Sequence, residues 1–330
     1  MPLLELREAG LYCPPGAFYI DPWGPADRAV ITHAHSDHAA AGSGAYLTSR
    51  AGEPLLRARL GSQAAIQSVE YGERLALGDA AVSLHPAGHI LGSAQVRIEH
   101  RGEVWVVSGD YKLAADPTCR PYEPLECHTF VTESTFGLPI FRWPETGAVV
   151  ESIHAWWSAN QQAGKPTILF AYPLGKAQRI LATLDPAAGP IYAHGAVERH
   201  NQLYRAQGVP LPATPAPGPE CRRALILAPP SCQGSPWMRR FPGASTALAS
   251  GWMRIRGTRR RRSLDRGFVL SDHADWPALL RAINASRAEA VWVTHGFRAP
   301  LVRWLEEHGR AAQAVNAGFE GEREEPECQS

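Results

Sequence analysis

Four ligand-type side chains, His33, His35, Asp37 and His38, fall within six residues directly behind the apolar run Ala29–Thr32. A short apolar run of that kind reads as a strand, so the imidazoles and the carboxylate crowd onto the loop that leaves it. Imidazole nitrogen and carboxylate oxygen together suit zinc or manganese. Residues packed this tightly can present His33 and His35 to one ion and Asp37 and His38 to another. Such a loop cannot close two coordination spheres alone, so the fold must bring further ligands to it from other strand ends.

The chain supplies them in the same style. Asp21 follows Phe18-Tyr19-Ile20, Asp110 follows Val106-Val107-Ser108-Gly109, and His89 sits in the glycine-flanked stretch Gly88-His89-Ile90-Leu91-Gly92. A polar residue straight after each apolar run fits an α/β architecture whose strand-end loops build a site. A carboxylate shared by two ions about 3.5–4 Å apart would equip that site to activate water for hydrolysis.

Patterning predicts strands over Ala17–Ile20, Ala29–Thr32, Ala81–His85, Ala94–Glu99, Val104–Ser108 and Thr129–Thr132, with a helix over Glu53–Leu60. From about Pro144 the order changes to a helix over Thr146–Gly164, a strand over Thr167–Tyr172, a helix from Gly175 to Leu184, and strands near Ile191–Ala193 and Ala224–Ala228. Gly208–Glu220 holds five prolines and reads as a surface connection. A strand over Gly267–Leu270 then leads into Ser271-Asp272-His273-Ala274-Asp275, a helix over Trp276–Ser286 follows, and a strand over Ala290–Thr294 ends at His295-Gly296. The return of the polar-after-strand habit predicts one domain made of both chain ends, 1–143 and 266–330, with a second domain, 144–265, inserted between them. The acidic stretch Glu320–Ser330 is expected to fray.

Composition excludes several classes. With 33 Lys+Arg against 32 Asp+Glu and 45% hydrophobic residues, the chain is neither disordered nor coiled coil. No apolar run approaches the roughly 18 residues that span a bilayer. Glu5, Arg7 and Glu8 come before any signal-like stretch, so a cytoplasmic location without membrane contact is expected. The six cysteines, Cys13, Cys119, Cys127, Cys221, Cys232 and Cys328, form no CxxC pair and read as reduced thiols.

Asp21, His33-x-His35-x-Asp37-His38, His89 and Asp110 resemble the four successive motifs of the metallo-β-lactamase fold. Thr132-Glu133-Ser134-Thr135-Phe136-Gly137, Ser271-Asp272-His273-Ala274-Asp275 and Val293-Thr294-His295-Gly296 resemble the three additional motifs of the β-CASP nucleases. The resemblance covers the chain from about Ala17 to Gly296. It implies an αββα metallo-β-lactamase sandwich with an inserted β-CASP α/β domain. The size, the stretch Pro173–Arg179 and an arginine-rich run most resemble the bacterial ligase-associated DNA exonucleases.

That resemblance implies two divalent ions, zinc or manganese, one held by His33, His35 and His89 and the other by Asp37, His38 and His295, with Asp110 bridging. Glu133 and His273 would form a hydrogen-bonded pair in which His273 is the general acid, and Asp21 would orient a ligand histidine. The implied activity is hydrolysis of DNA phosphodiester bonds, as a single-strand-preferring exonuclease running 5′ to 3′ in end processing. Single-stranded DNA or DNA with single-stranded ends is the implied partner, beside a DNA ligase or helicase of the same repair pathway. Position 295 is His, which is common in RNA-cleaving members, whereas the Artemis-like DNA nucleases usually have an apolar residue there. RNA processing by the same chemistry therefore stays open, as does a small-molecule hydrolase of lactonase or thioesterase type.

Seven arginines, Arg254, Arg256, Arg259, Arg260, Arg261, Arg262 and Arg266, crowd the stretch before Asp272, with Asp265 opposing. Guanidinium forks match phosphate geometry, so Arg254 to Arg262 read as backbone contacts or else as a solvated loop. Lys176 and Arg179 open a helix behind a strand, which reads as a further phosphate contact or as simple capping. Trp237 and Trp252 are candidates for base stacking.

Overall fold

The computed structural model describes residues 2–218, 221–255, 257 and 263–316. The chain divides into two compact units: one runs to Phe141 and resumes at His273, and the other is Arg142–Asp272.

The first unit contains two sheets. Six short strands, β1 (Glu5–Arg7), β2 (Gly10–Cys13), β3 (Phe18–Ile20), β4 (Arg28–Val30), β5 (Ala45–Ser49) and β6 (Ile66–Val69), are joined in sequence order, antiparallel at first and parallel from β3 onward. The second sheet takes β7 (Arg74–Leu77), β8 (Ala80–Pro86), β9 (Ala94–His100), β10 (Glu103–Val107), β11 (Thr129–Glu133), β17 (Ala290–Thr294) and β18 (Ala311–Ala314), in the order β18-β17-β11-β10-β9-β8-β7. The central strand β10 is antiparallel to β9 and parallel to β11.

Strand alternation explains the layering. Trp105 and Val107 of β10 join Phe18, Ile20, Val30 and Leu47 in a core shared by the two sheets. Val106, between them in sequence, points the other way with Phe130, Val291 and Val293, under helices α5 (Trp276–Ala285) and α6 (Arg298–Glu307). Helix α1 (Glu53–Leu60) buries Leu55 and Leu56 beside β6.

The second unit carries a parallel sheet of β12 (Thr167–Phe170), β13 (Ile191–Ala193), β14 (Leu225–Ala228), β15 (Ser245–Ala249) and β16 (Arg266–Phe268), in the order β13-β14-β12-β15-β16. Helix α2 (Thr146–Gln162) precedes β12, and helices α3 (Lys176–Thr183) and α4 (Gly195–Ala206) connect β12 to β13 and β13 to β14. The segment expected as a strand over Gly267–Leu270 is thus β16. It pairs with β15 through Ala249 opposite Phe268 and lies in the second unit.

Candidate metal centre

Strand ends of the first unit deliver most of the ligand-type side chains. Asp21 follows β3, the His33–His38 loop follows β4, His89 lies between β8 and β9, Asp110 follows β10, Glu133 ends β11, and His295 follows β17. Gly109, at φ 55°, brings the β10 end against the β4 end so closely that a Cβ would lie 2.7 Å from the Thr32 Cβ.

His33 Nε2 is 3.0 Å from His35 Nδ1, His89 Nε2 is 3.1 Å from the same nitrogen, and Asp110 Oδ2 is 3.6 Å from His33 Nε2 and 3.8 Å from His89 Nε2. Donors about 2.0–2.1 Å from a tetrahedral ion stand roughly 3.3 Å apart, so these four atoms fit the corners of one such sphere. Burial and the neighbouring His38, His35 and His89 hold the His33 pKa well below its ordinary value, which keeps a lone pair available for ligation.

His38 is fixed from both sides. Its Nδ1 lies 2.8 Å from Asp21 Oδ2, while Nε2 is 3.3 Å from Asp110 Oδ2 and 3.8 Å from Asp37 Oδ2. Nε2 is also buried without a hydrogen-bond partner. Burial favours the neutral ring, yet Asp110 and Asp37 outweigh it and raise the His38 pKa well above its ordinary value. These carboxylates call for positive charge at His38, and a divalent cation meets the same demand. The His295 ring stacks on His38 with centroids 5.1 Å apart. Asp37, His38 and His295 share the lining of one pocket with Asp21 and Thr294, over an apolar floor that includes Ile20, Val107 and Val131.

Asp110 belongs as well to a second tight donor group with Glu133 and His273. His273 Nδ1 lies 3.0 Å from Glu133 Oε2, and the Tyr111 backbone N–H donates to Glu133 Oε1 at 2.8 Å. Both carboxylate oxygens are thereby engaged. Burial opposes the charge on Asp110, but His38, His273 and His33 hold its pKa well below the usual carboxylate range.

No family model matches the sequence. A probable DNA ligase of Opitutus terrae is 33% identical over 316 residues, which is 93% of this chain and 30% of that protein. Endoribonuclease YSH1 of Saccharomyces cerevisiae is 29% identical over 124 residues, 36% of this chain and 15% of its own length. An RNase J-like protein of Methanocaldococcus jannaschii is 26% identical over 155 residues, 43% of this chain and 37% of its own. These similarities are consistent with the metallo-β-lactamase/β-CASP nuclease resemblance that the sequence motifs carry. The chain spans well under half the length of these curated relatives. Its fold also resembles a crystal structure of a protein of unknown function from Enterococcus faecalis, with TM-score 0.54 and 12% identity over 81% of this chain and 74% of that one. Among the described residues no helix is long and apolar enough to cross a membrane.

Other expected contacts come out differently. Lys176 is wholly buried, with Nζ 3.4 Å from Asp272 Oδ2 and 4.5 Å from the centre of the Tyr172 ring. Arg179 is 1% exposed; it donates to the Ser271 carbonyl at 2.5 Å and to Thr146 Oγ1 at 2.9 Å, and lies 3.6 Å from Asp272 Oδ1. Buried charges need partners, and these two have protein ones, so they are corrected from phosphate contacts to a buried ion cluster. Trp237 and Trp252 are partly buried and pack against the core of the second unit. Arg254 is exposed, whereas Arg256, Arg259, Arg260, Arg261 and Arg262 lie outside the described residues.

Sequence reasoning missed Thr32, Tyr111 and Ser134. The Thr32 hydroxyl donates to Asp21 Oδ2 at 2.5 Å and lies 3.1 Å from His33 Nδ1, so it joins the two residues. Its place immediately before His33 was the available signal.

Proposed function

We propose that this chain is a metal-dependent phosphodiesterase that degrades single-stranded DNA, or DNA with single-stranded ends, 5′ to 3′ during end processing and repair. The observation that carries the hydrolytic reading is Asp110, shared between the His33, His35 and His89 donors and the Glu133–His273 pair. His33, His35, His89 and Asp110 would hold one ion, and Asp37, His38, His295 and Asp110 the other. Two bound zinc or manganese ions supply the charge that neutralises a scissile phosphate and activates water.

The protein groups do the rest. Asp21 keeps the His38 proton on Nδ1 and aims Nε2 into the centre. Glu133, fixed by the Tyr111 N–H, takes His273 Nδ1, and the His273 ring would carry a proton to the leaving oxygen. That engagement of Glu133 favours a proton-transfer pair over a further metal ligand. Residues Arg142–Asp272 are read as the inserted β-CASP domain, a reading supported by the chain leaving the first unit at Phe141 and re-entering at His273.

The DNA assignment draws on the ligase relative, which matches across most of the chain. It also makes a DNA ligase or helicase the partner class. A second reading, RNA processing, is favoured by the endoribonuclease and RNase J-like relatives together with the histidine at 295. Single-stranded DNA and RNA, each labelled at one terminus or the other and incubated with manganese or zinc, separate the two. Nucleotide release from the 5′ end of DNA is expected. Cleavage of RNA alone establishes the second reading, and full activity in excess chelator removes both.

A further inference from the structure

Strands β11 and β17 run parallel and in register as far as Glu133 opposite Thr294. Where that ladder stops, Ser134 grips the far chain in both directions. Its buried hydroxyl lies 3.0 Å from the Thr294 carbonyl oxygen and closer still to that of His295. Its own carbonyl accepts the Phe297 N–H at 2.8 Å and the Gly137 N–H at 2.9 Å.

The turn it grips is a costly one. His295 has φ 49° and Gly296 φ 62°. A left-handed histidine persists only where its surroundings over-determine it. A Cβ at Gly296 would collide with the Ser134 carbonyl, so this close approach requires glycine. His295 Nδ1 lies 3.0 Å from Thr294 Oγ1, so the ring's orientation follows the backbone that Ser134 holds.

We propose that Ser134 is a positioning residue for His295, its hydroxyl holding the left-handed turn that delivers the His295 imidazole beside His38 and thereby setting the affinity of the second ion position. The inference rests on reading His295 as a ligand there. Glu133 and Ser134 are consecutive, so one face of the strand end serves His273 and the other serves His295. Without the hydroxyl the Thr294 and His295 carbonyls lose their buried donor and the turn can relax toward negative φ.

Zinc titration of the metal-free full chain against a chromogenic chelator, applied to wild type, His295→Ala, Ser134→Ala and the double variant, tests this, with near-UV circular dichroism as the check on folding. His295→Ala should weaken the second ion and spare the first. Ser134→Ala should weaken that same ion at least about tenfold, within the 10–100-fold typical of residues behind a ligand. On the His295→Ala background it should add nothing, because its effect passes through that ring. Unchanged affinities in His295→Ala remove the ligand reading and the Ser134 role with it. A weakened His295→Ala beside an unaffected Ser134→Ala, or an additive double variant, overturns the Ser134 role alone. Should Ser134→Ala not fold, Gly296→Ala strikes the same turn from the other side, and an undiminished second affinity there overturns the proposal.

Discussion

His273 Nδ1 lies 3.0 Å from Glu133 Oε2 with both side chains buried, which commits one ring nitrogen to a carboxylate. If Nε2 protonates the leaving oxygen, His273→Ala should lower kcat by about 10²–10⁴ and leave metal content unchanged. A substrate whose bridging oxygen is replaced by sulfur hardly needs that proton. The variant should recover on it, and an equal defect on both substrates would assign the loss to structural damage.

Asp21 holds φ 43°, a conformation that asparagine also tolerates, so Asp21→Asn isolates charge and hydrogen bonding from backbone strain. An amide donating to His38 Nδ1 would force the ring proton onto Nε2 and block that lone pair. Affinity at the second ion position should fall about 10–100-fold in a chelator competition. Affinity equal to wild type would show that Asp21 does not set the His38 tautomer.

The site was more legible than the frame that carries it. The candidate ligand residues stand out because most follow an apolar run that is itself a strand, as with Val106, Val107 and Asp110. Several strands are too short or too bland to register: β1 has three residues, and β18 is Ala-Ala-Gln-Ala, with no β-branched or aromatic residue. Helix α4 begins with Gly195 and is interrupted by His200 and Asn201, which blurs its apolar stripe. Lys176 and Arg179 show a deeper limit. A basic pair at a helix start reads the same whether it faces a phosphate or a buried Asp272, and only the tertiary fold brings that partner near. Ser134 stood within a recognised motif, yet its role depends on carbonyls contributed by a distant strand end.

In the second unit Glu198 accepts from Arg205 Nη1 at 2.8 Å, from Asn201 at 3.2 Å and from the Thr214 hydroxyl, tying α4 to the proline-rich connection. Burial alone would raise its pKa, but Arg205, Thr214 and Asn201 win and lower it below the ordinary value of 4.5. A lowered folded pKa gives stability that is present above the unfolded value and lost as pH falls through the folded one. Glu198→Gln should therefore cost about 1–2 kcal/mol near pH 7. The gap from wild type, measured by denaturant unfolding, should narrow progressively as pH falls below 4.5. A gap of equal size at pH 3 would mean that the charge is not its source.

Arg254 ends the short turn Gly251–Arg254 and is exposed, and four arginines in a row follow at 259 to 262. Backbone phosphates carry no base information, so replacing arginines that contact them should weaken single-strand binding alike across sequences. Each lost contact should flatten the slope of log affinity against log salt by about 0.7 for single strands. Arg256→Ala and a joint Arg259→Ala, Arg260→Ala variant, measured over a salt series, should show this with metal content unaltered and cleavage reduced mainly through KM. Lys176→Ala and Arg179→Ala make the opposing control. Breaking a buried pair costs about 3–5 kcal/mol, so both should lower Tm while leaving the slope of the folded protein as it was. Wild-type slopes in both arginine variants would return the run to a solvated loop, and a flattened slope in Lys176→Ala would restore the phosphate contact that its burial argues against.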